Sequence, residues 1–246
     1  MKPTISPVGD CAISIDFGQV IDPKINRHIR QTIERIRALQ LDGIIELVPT
    51  YCALLLQYDA MLYSYAELCN IIEPTLEQTV TDNANELVTV VEIPTVYGGE
   101  FGPDLGFVAS HNNLTEDEVV AIHSGTDYLV YMLGFIPGFT YLGGMDPRIA
   151  TPRLSSPRTL IPAGSVGIAG AQTGTYPSDS PGGWQIIGRT PVTMYDMSKK
   201  QAALLSAGDY VRYVPIDEAE YNRIKALGAD YAPSMYEVEV GELRGY

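Results

Sequence analysis

Histidine, cysteine and tryptophan are scarce in this chain, and each scarcity removes a class of chemistry. The 246 residues hold 3 His, 3 Cys and 1 Trp. His28, His111 and His123 lie too far apart in sequence to suggest a His-rich metal site, so no metal is expected. Cys11, Cys52 and Cys69 are odd in number, sit among apolar residues and show no C-x-x-C spacing. That pattern suggests neither a disulfide framework nor a zinc site, and points to buried thiols in a reducing compartment. Positive charge is also short, with 16 Lys and Arg against 30 Asp and Glu, and the formal charge of −14 argues against nucleic acid and anionic membranes as partners. Nowhere do roughly 18 uncharged apolar residues run together, and MKPTISPVGD contains no apolar signal-peptide core, so a cytoplasmic location is expected.

Familiar chemical signatures are missing as well. Gly164-Ser165-Val166-Gly167 lacks the lysine of a phosphate loop and no helix is expected after it. No G-x-G-x-x-G joins a strand to a helix, and no G-x-S-x-G surrounds Ser165 to make it a nucleophile.

What is present is concentrated between Tyr131 and Arg189, a stretch with roughly half of all the glycines and nearly half of the prolines. Glycine admits positive φ and proline holds φ at about −65°, so this backbone can approach a bound molecule closely and keep its shape. Its ionised residues are Arg148, Arg153, Arg158 and Arg189 against Asp146 and Asp179, which makes it basic within an acidic protein and suited to a small anionic substrate. Phe135, Phe139 and Tyr141, spaced by Gly and Pro, are candidates to wall a flat or ring-shaped ligand or to fill the core.

Around that stretch the pattern predicts two domains, an α+β domain over residues 1–84 and a β-rich domain over 87–246, with the polar run TDNANE (81–86) as the boundary. In the first, Cys11–Phe17 alternates like a strand, Asp22-Pro23 opens a helix, Ile44–Val48 and Tyr51–Tyr58 pair as strands, and a Ser64-to-Glu67 capping box opens a second helix that Pro74 should kink or divide. In the second, a strand over Leu87–Ile93 should stop at Pro94, short helices follow Asp104 and Thr115, and strands are expected over 126–133, 165–169, 184–187, 191–197 and 209–216. Many short strands with Gly/Pro turns indicate a closed or nearly closed barrel. A helix follows Asp217, and an irregular acidic tail is expected after Gly228. His123, in a last helical turn before Gly125, either bonds free helix carbonyls or faces the site as a protonated anion binder.

The run Gly134-Phe135-Ile136-Pro137-Gly138-Phe139-Thr140-Tyr141-Leu142-Gly143, followed by Pro152-Arg153, Ile161 to Gly170, Gln172, Tyr176-Pro177 and Pro181-Gly182-Gly183-Trp184, resembles one family over nearly the whole chain. It is the 5-oxoprolinase B-subunit family, also called allophanate hydrolase subunit 1 or the Kip-type kinase inhibitor family. The resemblance implies an α+β N-terminal domain followed by a cyclophilin-like β-barrel, and a chain that is active only with homologues of the 5-oxoprolinase C and A subunits. It implies an ATP-dependent opening of 5-oxoproline to glutamate, ATP being bound with or by a partner. Inhibition of a sensor histidine kinase, or half of a biotin-dependent carboxyltransferase acting on urea-derived substrates, are the other roles it allows. Carried over residue by residue, it implies a pocket of His123, Phe135, Pro137, Tyr141, Arg153, Arg158, Ser165, Gln172, Tyr176 and Trp184, with His123, Arg153 and Gln172 foremost.

Overall fold

In a computed structural model the described residues are 3–76 and 86–245, so all of the expected boundary except Glu86 lies outside them. The chain divides into two compact units, Met1–Asn83 and Ala84–Tyr246.

The first unit follows its hydrophobic pattern closely. Strands β1 (Thr4–Val8), β2 (Ala12–Asp16), β3 (Ile44–Pro49) and β4 (Ala53–Tyr58) form an antiparallel sheet in the order β1-β2-β4-β3. β1 falls in the stretch expected only to lead into a strand, and its Pro7 is tolerated because β1 is an edge strand. Helix α1 (Pro23–Ala38) starts at Asp22, whose carboxylate accepts from the Lys24 N–H, and buries Ile29, Ile33 and Ile36. Helix α2 (Tyr65–Leu76) starts at a capping box in which Ser64 and Glu67 bond reciprocally. Ile29, Ile33 and Ile36 of α1 and Leu68 and Ile72 of α2 pack on Ile13, Ile15, Leu54 and Leu56, the inward alternates of two central strands. Pro74 does not divide α2. It lies inside the helix, which forfeits one backbone bond there and still runs on to Leu76. The expectation of three buried thiols also fails in part, since Cys11 is exposed and Cys52 and Cys69 are half-buried.

The second unit is a nearly closed barrel. Its strands are β5 (Leu87–Tyr97), β6 (Asp127–Leu133), β7 (Thr140–Gly143), β8 (Arg158–Ile161), β9 (Ser165–Ala169), β10 (Gln172–Thr175), β11 (Ser180–Gly182), β12 (Gln185–Arg189), β13 (Tyr210–Pro215) and β14 (Met235–Glu239). The path β10-β9-β12-β5-β13-β6-β7 curls round until β7 lies along β10, and β8 and β11 form a separate two-stranded antiparallel sheet. Helices α3 (Leu105–His111), α4 (Glu116–Ser124) and α5 (Glu218–Leu227) complete the unit.

Three expectations for this unit fail. β5 runs straight through Pro94, because that residue falls in the gap between the segment pairing β14, which ends near Glu92, and the segment pairing β12, which begins at Val96. No strand forms over 191–197. Val192 and Met194 are buried as their alternation suggests, but a turn at Asp196 and Ser198 leaves only a single bridge, Tyr195 to Ala203. The tail is not irregular: β14 pairs β5 antiparallel, Met235 opposite Val91 and Glu239 opposite Leu87.

A buried ionic network holds that tail in place. Arg212 on β13 forks onto Asp127 at the start of β6, with Nε and Nη2 each 2.6 Å from a carboxylate oxygen. Arg212 also donates to the Tyr236 hydroxyl on β14, which donates to Glu92, and Asp127 accepts the Arg244 N–H at 2.8 Å.

Candidate functional site

Between β6 and β7 the chain makes a tight glycine-flanked turn, 134–138, in which Phe135 adopts φ 69°. A bulky side chain at positive φ is strained, and such strain persists only where surrounding structure enforces it. The Phe135 ring is 65% exposed yet stands edge-on to buried Phe139, with ring centroids 5.6 Å apart. Phe139 in turn meets Tyr141, Tyr176 and Trp184 edge-to-face at 5.3, 5.9 and 5.8 Å.

These rings wall a cleft of about 260 Å³, lined also by Pro181, Gly182 and Gly183, with exposed Arg153 on its edge. Gly182 is dictated by space: a Cβ there would lie 2.5 Å from the Tyr176 hydroxyl and 2.7 Å from Ile161 Cδ1. Burial pushes the Tyr176 phenol up, opposed by the nearby Arg153 guanidinium, by the Trp184 N–H and by Arg158. The Arg153 backbone is fastened on both sides. Gln185 Nε2 donates to the Pro152 carbonyl at 2.9 Å, and the Leu154 N–H donates to the Gly183 carbonyl at 2.7 Å. A larger groove of about 410 Å³ lies in the N-terminal unit, but its cation, Arg37, is exposed and paired with Glu34 at 3.3 Å.

The structure brings together Phe135, Tyr141, Arg153, Tyr176 and Trp184 and leaves the other expected site residues elsewhere. Pro137 is exposed at the tip of the 134–138 turn. Ser165 is fully buried on β9, its hydroxyl without a hydrogen-bond partner among the described residues. Gln172 opens β10 half-buried, outside the cleft lining. Arg158 does not face a ligand. Its Nη2 bonds Asp104 at 2.7 Å and its Nη1 bonds the Trp184 carbonyl at 3.3 Å. Nor do four cations cluster: Arg148 closes on Asp146 at 2.6 Å, Arg189 lies over the Phe101 ring, and only Arg153 lines the cleft. Phe139, a candidate wall by its spacing, belongs to the site, as do Pro181, Gly182 and Gly183.

His123 is the largest correction. It is fully buried in the core, packed against Tyr128 and Tyr213, and burial lowers its pKa to about 3, so it cannot serve as a cation. Its bonding fixes the tautomer. The Thr173 hydroxyl donates to the Gly167 carbonyl and so accepts from His123 Nε2–H at 2.7 Å, leaving bare Nδ1 to accept the Tyr97 hydroxyl at 2.8 Å. Unfolded, the ring takes a proton near its ordinary value of 6.5. Below that pH the unfolded chain binds more protons, so stability is lost as pH falls from about 6.5 toward about 3. Between pH 7 and pH 5 this group should cost about 2 kcal/mol. Urea midpoints of the wild type and His123→Gln at both pH values measure it, and equal pH slopes for the two proteins would refute a neutral buried ring.

Among the described residues no group of three or more His, Cys, Asp or Glu could hold a metal ion, and no helix is long and apolar enough to cross a membrane. Residues 3–205 match the family described as carboxyltransferase domain, subdomain C and D. A 5-oxoprolinase B subunit from Bacillus subtilis is 45% identical over 90% of this chain and 96% of its own length. Among solved structures, the uncharacterized protein PH0987 of Pyrococcus horikoshii is 48% identical over 89% of this chain and 100% of that one, with a TM-score of 0.53. The K. lactis urea amidolyase shares the fold alone, at 21% identity and a TM-score of 0.78 over 96% of this chain and 16% of that one. With an aromatic cleft set in a barrel of this sequence, the chain belongs to the 5-oxoprolinase B-subunit family, built on the C and D subdomains of the carboxyltransferase domain.

Proposed function

We propose that the protein is the B subunit of an ATP-dependent 5-oxoprolinase, active with homologues of the A and C subunits. The reaction opens 5-oxo-L-proline to L-glutamate while ATP becomes ADP and phosphate. An unstrained five-membered lactam resists water, and phosphorylation of its amide oxygen makes a leaving group. The observation that carries the reading is the 45% identity to a 5-oxoprolinase B subunit along 96% of that protein. The cleft agrees with it in size and chemistry. Small-molecule pockets run from about 300 Å³ upward, so a volume near 260 Å³ suits a compact ligand. Arg153 is the cation at its edge, and a guanidinium recognises a carboxylate or phosphate by paired hydrogen bonds.

Reconstitution tests the proposal. The purified chain alone should release no glutamate from 5-oxoproline, and addition of the A and C subunits should give release that requires ATP. Folded partners that yield no glutamate with this chain would reject it.

A further inference from the structure

Trp184 forms a wall of the cleft, and its place is set by two residues that do not touch the cleft. Asp104, just before α3, grips Ile186 from both directions: its Oδ2 accepts the Ile186 N–H at 2.6 Å, and its own N–H donates to the Ile186 carbonyl at 2.9 Å. Its other oxygen, Oδ1, takes the Arg158 guanidinium at 2.7 Å. Arg158 then donates to the Trp184 carbonyl at 3.3 Å. The chain from Trp184 to Ile186 is thereby held at both ends by one ion pair whose members lie 54 residues apart in sequence. The Asp104 side chain is 12% exposed and that of Arg158 32%, so the pair is partly shielded from water and its geometry is held better than that of a surface pair.

We infer that Asp104 and Arg158 are positioning residues for the cleft, acting through Trp184. The indole meets Phe139 and Tyr176 edge-on at 5.8 and 6.0 Å, and such contacts lose their value with small displacements. Arg153 is fastened to the same strand entrance through Gly183 and Gln185, so a shift of that segment moves the cation as well as the wall. Ligand affinity, more than turnover of bound ligand, is the quantity this pair controls.

The protein holds 1 Trp, so fluorescence excited at the red edge of indole absorption, where its 16 Tyr do not absorb, reports this position alone. The test uses Asp104→Asn, which keeps an oxygen for the Ile186 N–H but removes the charge, and Arg158→Lys, which keeps the charge but lacks the planar fork. Acrylamide, being neutral, avoids attraction to Arg153. Its quenching of Trp184 in the isolated chain should rise about twofold to threefold in each variant, while the melting temperature falls by about 2–4 °C. The double variant should quench no more than either single one, because both break one connection. In the reconstituted complex, KM for 5-oxoproline should rise about tenfold with kcat within about twofold. Unchanged quenching in both single variants, or additive quenching in the double, would overturn the assignment. So would quenching that rises only with loss of the folded melting transition. The kinetic arm alone rests on the proposed function: raised quenching in a chain whose complex has no oxoprolinase activity would keep the positioning role and reject that function.

Discussion

Arg153→Ala is expected to lower kcat/KM for 5-oxoproline in the assembled complex by about 100-fold to 1,000-fold while leaving the fold intact. Hydrogen bonds to charged groups contribute about 1.5–3 kcal/mol each, and a guanidinium offers a carboxylate two in parallel. The loss should be this large because, of the four arginines in the Gly/Pro-rich stretch, Arg153 alone lines the cleft, while Arg148 and Arg158 are already committed to Asp146 and Asp104. Stability should change by less than about 0.5 kcal/mol, since the side chain is exposed and no carboxylate is left buried by its removal. Arg153→Lys should recover only part of the activity, because an ammonium supplies charge without the planar fork. Steady-state kinetics beside a thermal melt measure both quantities. Full activity, or collapse of the fold, would remove Arg153 from the site.

Asp127→Ala should have the largest effect on stability, a loss of about 3–5 kcal/mol. The Asp127 side chain is fully buried and that of Arg212 is 11% exposed, so deleting the carboxylate strands a guanidinium in the protein interior. The Arg244 N–H loses its acceptor in the same substitution, which loosens the segment that follows β14 while the bond from the residue-127 N–H to the Arg244 carbonyl remains. Removing both charges, as Asp127→Leu with Arg212→Met, should be milder than Asp127→Ala alone, because no uncompensated ion remains. Urea unfolding of the three proteins decides it. If the double variant is the least stable, the pair contributes more by its mutual bonding than it costs by desolvation.

The elements with local causes were legible in the sequence. The cap at Asp22, the capping boxes at Ser64 and Thr115, and the alternation of Ile13 with Ile15 and Leu54 with Leu56 each depend on neighbours a few residues away. Features that depend on distant partners were not. Pro94 breaks a strand by local rules, yet the β14 and β12 segments leave a gap where its missing N–H does no harm. β10 and β11 are short and rich in Gly, Ser and Thr, so their pairing is set by β9 and β8 and not by their own propensity. The site divides in the same way. Aromatic residues close together in sequence marked the walls, but whether an arginine faces a ligand or an aspartate 54 residues away is a property of the folded chain. His123 misled for a related reason: a last-turn position favours the protonated ring only at an exposed helix end, and this one is sealed beneath Tyr97, Tyr128 and Tyr213.

The neighbours of β5 impose an order on biosynthesis. β5 is the first barrel strand to leave the ribosome, yet it pairs with β13 and β14, among the last to emerge. A nascent chain can therefore complete the N-terminal sheet early, whereas the barrel must wait, with apolar Val88, Val90 and Ile93 uncovered, until residues near Glu239 are free. Truncations that spare every cleft residue but remove β14 should for this reason yield chains that a chaperone retains.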